Sequence, residues 1–197
     1  MDAAEILFYE NGADATSVAD VAKKAGVSVG ALYHHFRDKK ALLYALFDRM
    51  STQYQEIGRA AIDPARWEGA SIRDILSGFV EFSLELGHVR PGFKRSGLEA
   101  AQDDPALREH FAEIMRDIHQ GLNRLLLDRK SEIGHPYPEM ATGFVLDQIT
   151  AMLRSRMDQT IQKAKITKCT DEAFAREAVM MASSYLHLID QPQTMEK

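Results

Sequence analysis

The chain has 197 residues, enough for one large domain or for a small one joined to a medium one. With 45% hydrophobic and 27% charged residues, and a net charge of −5, it is not collagenous, low-complexity or disordered, and its surface as a whole should not cling to nucleic acid. The single cysteine, Cys169, rules out an internal disulfide and a Cys-type zinc site.

No apolar run approaches the about 20 residues that a membrane helix needs, and MDAAEILFYENG lacks a basic leader segment, so a cytoplasmic protein without a membrane partner is expected. Helical periodicity predicts a first helix over about Asp2 to Glu10, stopped by Asn11-Gly12. In TSVAD, Ser17 and Asp20 have capping-box spacing and predict a second helix, with Val18, Val21, Ala22 and Ala25 on one face. Gly26 ends it, and Ser28 caps a short third helix that runs to about Phe36. Asp38 opens a longer helix carrying Leu42, Leu43, Leu46, Phe47, Met50, Tyr54 and Ile57.

Asp63-Pro64 and Gly69 mark a break. Ile72 to Gly87 is apolar nearly all round, which predicts deep burial, and Pro91-Gly92 interrupts before a short helix near Lys94 to Ala101. Asp104-Pro105 reads as the start of a helix through Leu126, Glu139 to Lys163 as one long helix, and Asp171 to Ile189 as the last, with a frayed tail from Gln191. The expected fold is all-α, with about nine helices.

Charge is unevenly placed along this frame. Residues 1–21 hold five acids (Asp2, Glu5, Glu10, Asp14, Asp20) and no base, whereas residues 22–49 hold Lys23, Lys24, Arg37, Lys39, Lys40 and Arg49 against Asp38 and Asp48. A local basic patch on an acidic body suits a phosphate-contacting module, although solvated helix faces give the same counts. Two short helices around the Gly26 turn match a helix-turn-helix over about residues 17–36, with Val21, Ala22, Val27 and Leu32 expected to pack the pair.

The segments AAEILFYENG, TSVADVA, AGVSVGALYHHF and DKKALL, in that order from Asp2 to Phe47, resemble the tetracycline-repressor (TetR-type) family of bacterial transcription regulators. The resemblance implies a helix-turn-helix DNA-binding domain over 1–47 and a larger helical ligand-binding and dimerisation domain over 48–197. It further implies a homodimer on a palindromic double-stranded DNA operator, most often a repressor released by a small-molecule effector. By position, Ser17 would cap the second helix near a phosphate, Tyr33, His34 and His35 would meet the DNA backbone, and Lys39, helped by Lys40, would donate to phosphate. Base-reading positions fall at Ala19, Val29, Gly30 and Ala31, beside Ser28. None of them can form a bidentate hydrogen bond to a base, so readout is expected through thymine methyls, backbone amides near Ser28 to Gly30, and DNA shape. Minor-groove contacts from a basic arm before the first helix are not expected from the sequence as it begins.

His34-His35 could be a metal pair, but neighbouring helical residues point about 100° apart and rarely share an ion. Glu85/His88 and Glu132/His135 have the spacing of di-iron bundle ligands but fall at helix ends, so the rival reading, a metal-dependent helical-bundle enzyme, lacks its mid-helix ligands. No Ser-His-Asp arrangement, phosphate loop or HExxH occurs; no enzyme activity, metal or cofactor is expected. For the effector, a cavity among the middle helices would be walled by Phe79, Phe82, Phe111, Met115, His119, Phe144 and Gln148. Met115, Met140, Met152, Met157, Met180 and Met181 either line it or fill the core. The last two helices carry apolar residues on more than one face, as a four-helix dimer interface would require.

Overall fold

The structure is a computed structural model and describes residues 1–12, 14–89, 104–164 and 166–189. Among them are nine α-helices and no strand: α1 (Asp2–Asn11), α2 (Val18–Ala25), α3 (Val29–His35), α4 (Lys39–Ala61), α5 (Ile72–Val89), α6 (Pro105–Leu127), α7 (Pro138–Met157), α8 (Gln159–Ala164) and α9 (Asp171–Leu186). The all-α expectation holds. The helix expected near Lys94 to Ala101, the Pro91-Gly92 break and the tail from Gln191 lie outside the described residues.

By compactness the chain divides into Met1–Arg59 with Gly87–Asp117, and Ala60–Leu86 with Ile118–Lys197. A boundary at residue 47 would fall in mid-helix, because α4 runs unbroken from Lys39 to Ala61.

In the first unit, Ala4 and Phe8 of α1, Val21 and Ala22 of α2, and Leu42, Leu46, Phe47, Met50 and Tyr54 of α4 are buried. Steps of one, three and four residues place them on one apolar stripe of each helix. The buried Thr16 hydroxyl donates to the carbonyls of Leu7 (3.1 Å) and Gly12 (2.9 Å), fixing the turn between α1 and α2. Arg49 of α4 pairs with Asp2 of α1 at 2.6 Å.

In the second unit, α5 buries Ile72, Ile75, Leu76, Val80 and Leu84 but exposes Arg73, Asp74, Glu81 and Glu85. Its apolar surplus therefore leaves Phe79 and Phe82 half-buried, and the all-round burial expected for it is confined to one face. Helix α9 packs on α7, and α8 on the end of α7. The single long helix expected from Glu139 to Lys163 is broken at Asp158. There the side-chain oxygen accepts from the Ile161 amide at 2.9 Å and starts α8 with an extended backbone. Aspartate favours such a cap over a helix interior, because its carboxylate satisfies an amide that helix initiation leaves free.

Candidate nucleic-acid interface

Both helices of the turn motif are set by side chains within three residues of their own ends. Ser17 Oγ accepts from the Asp20 amide (3.1 Å), and Asp20 Oδ2 accepts from the Ser17 amide (2.9 Å) and hydroxyl (2.5 Å), completing a capping box. The Ser17 hydroxyl, followed by its amide, holds the Asp20 carboxyl below its ordinary range. At the other end Gly26 is left-handed (φ 69°, ψ 27°). Its amide donates to Lys23 O and the Val27 amide to Ala22 O, at 3.3 and 3.0 Å, a Schellman turn. No atom lies within 4 Å of where a Cβ would stand, so it is the positive φ, not space, that favours glycine there.

Ser28 then caps α3, its Oγ accepting from the Ala31 amide at 3.0 Å. Helix α3 has no buried residue: Val29, Gly30, Ala31, Tyr33, His34 and His35 are exposed, and only Leu32 is half-buried. A seven-residue helix with so little covered surface is marginal alone. Its caps and its packing on α2 maintain it. Val27 departs from expectation: it stands in the turn, 45% exposed, because the left-handed residue before it swings the chain away from the helix pair. The rings of His34 and His35 meet edge-on, 5.5 Å apart, as helical neighbours do.

Asp38 opens α4, its Oδ1 accepting from the Ala41 amide at 2.7 Å. That hydrogen bond is the main cause of its lowered carboxyl pKa. Lys39 Nζ donates to Asp14 O at 3.2 Å, joining the α1–α2 connection to the start of α4. Lys40 stays largely exposed, 3.7 Å from Asp104 Oδ2 and over the Tyr44 ring. Tyr44 donates its hydroxyl to the same Oδ2, while Asp104 Oδ1 caps α6 by accepting from the Ala106 amide at 3.0 Å. The sequence reading missed Arg37, whose side chain is 92% exposed in the α3–α4 connection, 3.4 Å from Asp38. A base between two expected helices was the available signal.

The structure therefore gathers Ser17, Ser28, Val29, Gly30, Ala31, Tyr33, His34, His35, Lys39 and Lys40 on α2, α3, the start of α4 and their connections. All stand at the surface except Lys39, which is half-buried. Residues 1–46 match the family described as "Bacterial regulatory proteins, tetR family". The resemblance to the tetR family thus covers α1 to α3 and the start of α4. Among similar proteins, the HTH-type transcriptional regulator TtgR of Pseudomonas putida is 30% identical over 132 residues, 64% of this chain and 61% of that protein. The match thus spans less than two thirds of that relative's length. Two solved neighbours share the fold. FadR from Bacillus subtilis, in complex with stearoyl-CoA, has a TM-score of 0.69 at 22% identity, covering 94% of this chain and 97% of its own. The TetR family regulator PfmR from Thermus thermophilus has 0.65 at 24%, covering 96% and 98%.

Away from the interface, Phe79, Phe82, Phe111, Met115 and His119 are half-buried, whereas Phe144 and Gln148 stand on the exposed side of α7. His119 lies 3.1 Å from the Thr150 hydroxyl, and burial pushes its imidazole below the usual histidine range. Met140, Met180 and Met181 are exposed on α7 and α9 and so do not fill the core. Glu132, read from its spacing as half of a Glu/His pair, is buried and accepts from the Ile72 amide at 2.8 Å, while His135 stacks on Tyr185. Among the described residues no group of three or more His, Cys, Asp or Glu could hold a metal, and no helix is long and apolar enough to cross a membrane.

Proposed function

We propose that this chain is a cytoplasmic, sequence-specific DNA-binding transcription regulator: a homodimer on a palindromic operator, acting as a repressor that a small molecule releases. The observation that carries this is α3, capped at its start by Ser28, set by the Gly26 turn, and exposed along its length beside the bases at the start of α4. A helix that buries so little of its own surface gains most from a partner surface, and the major groove accepts one α-helix. In the proposed complex Tyr33, His34, His35, Lys39 and Lys40 contact the sugar-phosphate backbone, and Arg37 adds a contact. Two copies of α3 would sit roughly 34–36 Å apart, one helical turn of DNA.

Exposed Met140, Phe144, Met180 and Met181 on the packed pair α7 and α9 support placing the dimer contact there, together with Gln148. We place the effector beside the half-buried Phe79, Phe82 and His119 of the second unit. The aromatic character of these residues suits a largely apolar ligand, as the stearoyl-CoA complex of the FadR neighbour suits an apolar chain. Such a ligand releases DNA only if it favours a dimer geometry that the operator does not.

The experiment is duplex selection from a random library, followed by fluorescence anisotropy across a salt series. Affinity should fall steeply as salt rises, and Lys39→Ala should lower the slope by about one. A flat slope would refute the phosphate contacts.

A further inference from the structure

Asn123 Oδ1 and Ser183 Oγ are buried side-chain oxygens to which no described residue hydrogen-bonds. They are not equivalent. A serine hydroxyl inside a helix can turn and donate to the carbonyl four residues back, as Ser83 does to Phe79 at 2.7 Å, so Ser183 has a remedy in its own helix. An amide oxygen only accepts, and Asn123 stands inside α6, where the backbone N–H groups already serve the helix. A buried acceptor in that state is costly, and leucine in its place would pack without the cost. Asn123 also follows His119 by four residues, so the two side chains share one side of α6. His119 is tied to Thr150 of α7 at 3.1 Å, and burial holds its imidazole toward the neutral form.

We infer that Asn123 Oδ1 is the polar anchor of the effector site, and that the effector is a neutral, largely apolar molecule presenting one hydroxyl or N–H donor to it. The inference rests on the effector placement proposed above and adds the chemical class of the ligand. The donor completes the hydrogen bonding of the amide, and the apolar frame covers the half-buried Phe79 and Phe82 of α5. A carboxylate or a thioester has acceptors alone and would set oxygen against oxygen. An ammonium could donate, but it would lose its water beside a neutral imidazole. Asp147 and Arg154 bear on His119 with opposite signs, so the surroundings favour neither ion.

The test uses the full chain at neutral pH and three matched probes: 4-propylphenol, its methyl ether 4-propylanisole, and 4-propylbenzoate. Calorimetric titration should show the phenol binding the parent about 10-fold more tightly than the ether, the worth of one buried hydrogen bond, and the benzoate binding more weakly than either. Asn123→Leu should melt about 2–4 °C above the parent, and should bind phenol and ether alike to within about 2-fold. An Asn123→Leu protein melting below the parent would show that the amide oxygen is satisfied without a ligand, and would overturn the inference. So would equal binding of phenol and ether by the parent, tightest binding of the benzoate, a phenol preference that survives in Asn123→Leu, or no binding of any probe. The effector role is read separately, from anisotropy on a duplex that the parent has selected. A phenol that binds with the expected preference but leaves duplex affinity unchanged would remove the effector role and leave the site standing.

Discussion

Glu132→Ala should lower the thermal stability of the whole chain, although the residue is no part of the proposed DNA surface. Its carboxylate is buried and accepts from the amide of Ile72, the first residue of α5, 60 positions earlier, at 2.8 Å. Ile72 itself is fully buried, so water cannot readily take over when the acceptor goes. An amide left unsatisfied in such a site costs about 1–3 kcal/mol. Taking about 2 kcal/mol, and about 2–4 °C per kcal/mol for a chain of this size, the melting temperature should drop by about 4–8 °C. The Ser71/Asp74 capping box at the same helix end stays intact, because Ser71 and Asp74 bond to each other rather than to Glu132. Glu132→Gln keeps an oxygen acceptor and should lose less than half as much. Circular dichroism melts at neutral pH measure both variants. A Glu132→Ala protein melting within about 1 °C of the parent would refute the claim that the Ile72 amide depends on this acceptor. Equal losses in both variants would show that charge, not the hydrogen bond, matters.

Gly26→Ala places a Cβ at φ 69° and should cost about 1–2 kcal/mol in a denaturant melt, with weaker binding to the selected duplex because the turn sets the α2–α3 angle. Phe144→Asp on the exposed side of α7 should shift the chain toward monomer in gel filtration at micromolar concentration, whereas a dimer of parental size would remove that face from the interface. Asp20, Asp74 and Asp104 all have carboxyl pKa values lowered in the fold, Asp20 and Asp74 chiefly by serine side-chain hydrogen bonds and Asp104 chiefly by the Tyr44 hydroxyl. Groups depressed in this way stabilise the fold above their unfolded pKa, roughly 4, and that stability is lost as pH falls through their lower folded values. An acid titration followed by fluorescence should therefore show a plateau near neutrality and a decline below about pH 4. Ser17→Ala should shift that decline, and an unchanged profile would argue against the Asp20 contribution.

Features settled within a few residues can be read from the chain alone. Ser17 with Asp20, Gly26, Ser28, Asp38 and Asp104 all cap or stop helices as their positions dictate, because each hydrogen bond they make at a helix end spans only two to four residues of chain. The caps and the turn of the helix-turn-helix were legible for this reason, whereas the exposure of Val27 was not. Partners of long separation are fixed by the folded arrangement instead. Glu132 reaches Ile72, Arg129 reaches the carbonyls of Ala70 and Trp67, and Lys39 reaches Asp14; no local pattern encodes those meetings. Folding also settles which apolar stripe is covered. A period of 3.6 residues marks an apolar face but not its neighbour, so Phe144 on its exposed side and Ile149 in the core look alike until α9 is packed against α7. Burial belongs to the contact between helices, and one helix's sequence carries only half of that contact.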